Sequence, residues 1–183
     1  MLLSSCSKFG RMTVMLALAI GLGQPALAKP GPHAPFEVTG KAIKNHDGDT
    51  IKIQTAEHGV VVVRLSAADT PETGQAYWRA ARDALRRQIT GQPVTVWCYK
   101  RDRHDRNVCH VSVHGKDPGL ALVQQGYAWY AHMFASELNS EMRRNYSEAE
   151  EAAKQRRLGL WSEPNPMPPW ECRKLRKSGQ KCR

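Results

Sequence analysis

Residues 46–72 read HDGDTIKIQTAEHGVVVVRLSAADTPE. Two short acidic turns, Asp47-Gly48-Asp49-Thr50 and Asp69-Thr70-Pro71-Glu72, flank two runs rich in β-branched residues, Ile51 to Ile53 and Val60 to Val63. Such runs bounded by turn residues predict strands, so the acids fall at strand ends and not along a solvated helix. Arg64 stands five residues ahead of the second turn. Carboxylates and a threonine oxygen are the hard ligands that Ca²⁺ or Mg²⁺ prefers, and an arginine beside them offers a bidentate hold on a phosphate bound to the same ion. Taken alone, each turn reads as ordinary turn chemistry. Their conjunction within residues 47–72 points to a metal site.

Working outward, segments 36–43, 50–55 and 59–66 read as strands. The period then changes. Tyr77, Ala81, Ala84, Leu85 and Ile89 recur at helical spacing over 74–90, and Gly91 stands where a helix stops. Strands are expected over 94–99 and 107–113, a short helix over 120–125 ended by Gly126, and a long helix over 136–158 ended by Gly159. Leu138, Met142, Tyr146, Ala149 and Ala153 form the apolar stripe of the long helix, which is core and not a cofactor contact. Five strands with a helix between the third and fourth is the element order of an OB-type barrel. The expected fold is therefore α+β, a five-stranded OB-type β-barrel with three α-helices.

The ends carry other signals. Lys8 and Arg11 precede the apolar run Val14 to Ile20, and Ala26-Leu27-Ala28 supplies a signal-peptidase pattern, so 1–28 is expected to be a signal peptide. That run is too short to span a bilayer, and no other stretch approaches the roughly 18–20 apolar residues required, so the mature form is expected to carry no membrane anchor. Residues 29–35 form a proline-rich lead-in, 36–162 the working domain, and 163–183 a basic, irregular tail containing proline and cysteine. The chain is expected to be exported, either periplasmic or secreted, and monomeric.

With 27 Lys and Arg against 17 Asp and Glu, the formal charge is +10. Loss of Lys8 and Arg11 would leave about +8, a surplus that favours a polyanion as partner, nucleic acid before membrane. Without Cys6 four cysteines remain. If the strands around 94–99 and 107–113 pair about Arg103-His104, Cys98 and Cys109 face one another and can form a cross-strand disulfide. Cys172 and Cys182 would close a small loop in the tail. A zinc site on Cys98, Cys109, His104 and His110 is the weaker reading, because consecutive strand residues such as Cys109 and His110 point to opposite faces.

Six pieces, in order and at compatible spacing, resemble the staphylococcal nuclease (thermonuclease) family. They are Asp47 to Thr50, Val63-Arg64-Leu65, Asp69 to Glu72, Asp102 to Arg106, Leu122 to Ala128 and Gly159-Leu160-Trp161. Pro168-Pro169-Trp170-Glu171 also looks like tails of bacterial members. The resemblance implies a Ca²⁺-dependent hydrolase that cleaves DNA and RNA, single strands favoured, with little sequence preference, leaving 3′-phosphate ends. It implies Asp49, Asp69 and the Thr70 carbonyl as metal ligands, with Asp47 close behind them. Glu72 would orient or deprotonate the attacking water, and Arg64 and Arg106 would grip the scissile phosphate. In one place the chain departs from the family pattern: His104-Asp105 stands where Tyr-Gly usually precedes the second arginine, so Asp105 could pair with Arg106 or face solvent. The family's later aromatic contact would fall near Trp129 to His132. Two other readings compete: a nucleic-acid-binding module of the same fold that has lost catalysis, and a disulfide-stabilised cationic protein that binds polyanions without cleaving them. Retention of both acidic turns and both arginines disfavours the first, and the second leaves those turns unexplained.

Overall fold

In a computed structural model, residues 34–182 are described. The expected signal peptide and most of the lead-in lie outside the described residues. Alternation drives the barrel: β1 (Phe36–Asn45), β2 (Thr50–Thr55) and β3 (Val60–Leu65) turn Val38, Ile51, Ile53, Val61 and Val63 inward, where all are buried. β5 (Pro93–Arg101) and β6 (Asn107–Ser112) add Val94, Val96, Cys98, Cys109 and Val111 to the same core. The sheet closes in the order β1-β2-β3-β6-β5, with β3 and β6 parallel and every other pair antiparallel. Closure leaves no open sheet edge on this barrel. The expected OB-type fold is present, and a two-residue pair outside the barrel, β4 (Ala68–Asp69) with β7 (Trp129–Tyr130), carries the second acidic turn.

Helix α1 (Trp78–Ile89) begins four residues later than the periodicity predicts. Gly74 and Tyr77 both take left-handed backbone angles, with φ of 93° and 63°, which interrupts the helical path before Trp78. α2 (Pro118–Gln124) is capped by the Asp117 side chain, which accepts from the Gly119 and Leu120 amides and also from the Tyr146 hydroxyl. That carboxylate ties α2 to α3 (Ser140–Gln155), which is shorter than expected because Asn139 caps it and residues 132–137 form a 3-10 turn. Of the apolar stripe, Tyr146, Ala149 and Ala153 are buried on α3, while Leu138 is buried ahead of it. Gly126 and Gly159, expected as terminators, do more than stop helices. Each has positive φ, and a Cβ on Gly126 would lie 2.2 Å from the Leu158 carbonyl oxygen, so the backbones cross where only glycine fits.

The tail is corrected by the structure. Instead of an irregular segment, Pro169–Lys177 forms a fourth helix, α4, with Pro169 in its first turn. Cys172 is fully buried and bonded to Cys182, and Trp170 meets Trp129 edge to face at 6.4 Å. The Gln75 side chain ties the approach to α4 by donating to the Met167 carbonyl. Cys98 and Cys109 face each other across β5 and β6 and are disulfide-bonded, as the turn-centred pairing predicts. No described helix is long and apolar enough to cross a membrane.

Candidate active site

Three loops converge on a cleft of about 740 Å³ whose walls include Asp49, Arg64, Thr70, Glu72, Arg106 and Arg173. The first loop is held in shape by Asp47, whose carboxylate accepts from the backbone amides of Asp49 (3.1 Å) and Thr50 (2.7 Å). Gly48 makes the approach of the second loop possible: a Cβ there would lie 2.8 Å from both the Thr70 methyl and the Ala81 Cβ. Across that contact, the Thr70 amide and hydroxyl both donate to Asp49 Oδ2, at 2.9 and 2.8 Å. The two acidic turns are thus bolted together through one carboxylate.

Arg64 bridges the acids. Its Nη1 lies 2.9 Å from Asp49 Oδ2 and its Nη2 donates to Asp69 Oδ1 at 2.8 Å, while the Ala68 carbonyl accepts from Nη1. Asp49 and Asp69 are 5% and 2% exposed, so both carboxylates have been taken out of water. Burial pushes the Asp49 carboxyl up to about 7, assisted by the charges of Asp47 and Asp69 and opposed by Arg64. Burial works against the charge of Arg64 too, but Asp49 and Asp69 outweigh it and raise its pKa. The two buried acids thus share the Arg64 guanidinium.

Arg106 reaches the same cleft from the β5–β6 turn. Its Nε and Nη2 lie 2.8 and 2.7 Å from Asp102 Oδ2, and its Nη1 donates to Thr50 Oγ1 at 3.0 Å. Asp105 takes the left-handed angle (φ 59°) that a glycine would take without strain, and its carboxylate pairs with Arg101 at 2.5 Å. The pairing of Asp105 with Arg106, left open by the sequence, is not made. Near the expected aromatic contact, Trp129 and Tyr130 are buried at 5% and 3%, and Phe134, 43% exposed, lines the cleft.

One residue escaped the sequence reading altogether. Arg173 on α4 lies 2.8 Å from Asp69 Oδ2 and donates to Asp69 Oδ1 at 3.1 Å and to Glu72 Oε1 at 2.7 Å. The Asp69 and Glu72 carboxylates raise its pKa despite the burial that works the other way. The available signal was Pro-Pro before a turn's worth of helix formers, with Arg173 and Arg176 at i, i+3 spacing.

The oxygen donors of Asp49, Asp69 and the Thr70 carbonyl suit a hard divalent ion such as Ca²⁺. Among the described residues, no three His, Cys, Asp or Glu side chains already converge as an ion cage. Residues 62–163 match the family model described as "Staphylococcal nuclease homologue". The chain belongs to the staphylococcal nuclease family. This family member is 32% identical to a "Micrococcal nuclease" of Shigella flexneri, over 76% of its own length and 82% of the relative's. It is 30% identical to an "Uncharacterized endonuclease" of Escherichia coli, over 73% and 84% of the two chains. A "Staphylococcal-like nuclease CAN1" of Arabidopsis thaliana is 34% identical over 64% of this family member, which spans only 34% of that longer relative. The match to the family model begins inside β3 and ends before α4, so it includes Arg64, Asp69, Glu72 and Arg106 but not Arg173.

Proposed function

We propose that this chain is an exported nuclease that uses Ca²⁺ to hydrolyse phosphodiester bonds of DNA and RNA, with little sequence preference and with single strands favoured. One observation carries the reading: Asp49, Arg64, Glu72 and Arg106, drawn from four separate chain segments, line a single cleft, and Asp69 is bonded to Arg64 behind them. When bound, the ion would supply positive charge opposite the phosphate and lower the cost of deprotonating water. Asp49, Asp69 and the Thr70 carbonyl would hold it.

The chain's own groups do the rest. Glu72 orients the attacking water and accepts its proton; the water oxygen bonds to phosphorus and the bond to the 5′ oxygen breaks. A 5′ hydroxyl, which takes up a proton, and a 3′ phosphate are the products. A phosphodiester is already anionic and repels the nucleophile, so guanidinium groups lower the barrier by neutralising charge that grows at phosphorus. Arg106, fixed by Asp102 and Thr50, presents that charge from the β5–β6 turn, and Arg64 presents it from β3. Loss of either arginine is worth about 2.7–4 kcal/mol if it acts as other oxyanion donors do. Export is supported by the two disulfides, which persist in oxidising compartments. A monomer is the proposed state.

The alternative of a binding module without catalysis is favoured by one observation: Arg173 neutralises both Asp69 and Glu72. One assay decides between them. Residues 29–183 are incubated with single-stranded DNA in Ca²⁺, in Mg²⁺ and in chelator. Ca²⁺-dependent release of 3′-phosphate ends supports the enzyme; DNA binding with no metal-dependent cleavage leaves the module.

A further inference from the structure

We propose that Arg173 is an internal counter-cation: it holds the metal-binding carboxylate of Asp69 and the water-orienting carboxylate of Glu72 until a divalent ion displaces it. The inference rests on the cation site of the preceding subsection and adds a residue that the family match does not include. Arg173 is a positioning residue, because it acts on the site through these two acids.

The geometry makes the competition direct. Both oxygens of Asp69 are engaged by Arg173, one of them shared with Arg64. An ion coordinated by Asp69 needs those same oxygens, so the guanidinium and the ion cannot both hold them in full. Glu72 is equally committed: Arg173 takes Oε1, Arg176 approaches Oε2 at 3.6 Å, and Arg176 also donates to the Thr73 carbonyl at 2.5 Å.

Displacement does not require the helix to move. The backbone of α4 is tied by the Cys172–Cys182 disulfide and the Trp170–Trp129 contact. The Arg173 side chain, by contrast, is 34% exposed while that of Asp69 is 3% exposed, so the guanidinium lies on the solvent side of the acid it covers. A change of side-chain rotamer swings it off Asp69 into the open cleft, whose wall it already forms. The arrangement keeps the buried Asp69 carboxylate neutralised in the absence of the ion, where an unpaired buried charge would be strongly destabilising. The same neutralisation raises the apparent Kd for the ion by the reciprocal of the fraction of molecules in which Arg173 is disengaged.

The test is Ca²⁺ titration by calorimetry on residues 29–183 without nucleic acid, for the wild type, Arg173→Gln, Arg173→Lys and Lys174→Gln. With Arg173 engaged in about nine molecules in ten, Arg173→Gln should bind Ca²⁺ about tenfold more tightly than the wild type. Arg173→Lys should fall between them, since an ammonium keeps the charge but loses the two-pronged hold. Lys174→Gln, an exposed cation on the same helix, controls for long-range charge and should shift Kd by less than about twofold. A purely structural role for Arg173 would weaken Ca²⁺ binding on substitution, the opposite sign. Equal or weaker Ca²⁺ binding by a folded Arg173→Gln protein overturns the inference. If that variant does not fold in chelator, Arg173→Lys decides: tighter binding than wild type supports the inference, and equal or weaker binding overturns it. If wild-type cleavage proves Ca²⁺-dependent but Kd is indifferent to position 173, the inference alone fails. If no variant binds Ca²⁺, the cation reading fails and the inference fails with it.

Discussion

Arg106 places two of its nitrogens on one oxygen of Asp102, four residues back across the turn, and makes no bond to Asp105 beside it. Asp102 also accepts from the backbone amides of His104 and Arg106, so one carboxylate shapes the turn and aims its arginine. Asp102→Asn keeps an acceptor for those amides but loses the charge that holds the guanidinium. Its kcat should fall roughly tenfold, equivalent to about 1.4 kcal/mol, with little change in unfolding midpoint. Steady-state cleavage of single-stranded DNA is the measurement.

Asp105→Gly should behave differently. Asp105 is held by Arg101 away from Arg106, and glycine takes the observed positive φ without strain. Cleavage within about twofold of wild type is expected, with a stability change of no more than about 0.5 kcal/mol. A large gain in activity would mean that Asp105 does draw on Arg106 in solution.

Glu72→Gln retains shape and removes the proton acceptor. Loss of general-base help should reduce kcat by about 10²–10⁴-fold while DNA affinity in chelator stays near wild type. Paired fluorescence-anisotropy and cleavage measurements separate the two quantities.

Gly48→Ala places a Cβ against the Thr70 methyl and Ala81. The two acidic turns must part to admit it, which should cost about 1–3 kcal/mol in urea unfolding and lower activity together with stability. A variant as stable and as active as wild type would show that the close approach of the two turns is not required.

Glu150 offers a test by pH. Its carboxylate accepts from the Tyr130 amide, His132 and Lys154. Burial raises its pKa, but these partners together outweigh it and hold the folded value below the ordinary 4.5. The stabilisation is therefore complete above about 4.5 and is lost as pH falls through the lower folded value. Glu150→Gln should be less stable than wild type by about 1.5–3 kcal/mol at pH 7, and the gap should close under acid. Denaturant melts at several pH values read the difference directly.

Local pattern was enough for the barrel, because strand alternation and glycine punctuation are properties of neighbouring residues. The strands that carry Ile51, Ile53 and Val63, and the facing of Cys98 and Cys109 about their turn, followed from spacing alone. The beginning of α1 did not, since the left-handed turn at Tyr77 answers to packing and not to propensity. The same holds for the aromatic wall: Trp129 and Tyr130 are drawn into the core by β7, and Phe134 is left on the cleft.

The acids and arginines of the candidate site were legible in the chain because their residue types and order are themselves the signal. Their partners were not. Asp102 rather than Asp105 holds Arg106, Arg64 faces the acids, and Arg173 arrives from a helix 104 residues beyond Asp69. Side chains far apart in sequence compete for the same few carboxylate oxygens, and the winner is set by distance and burial in the folded chain. Sequence order alone encodes neither quantity.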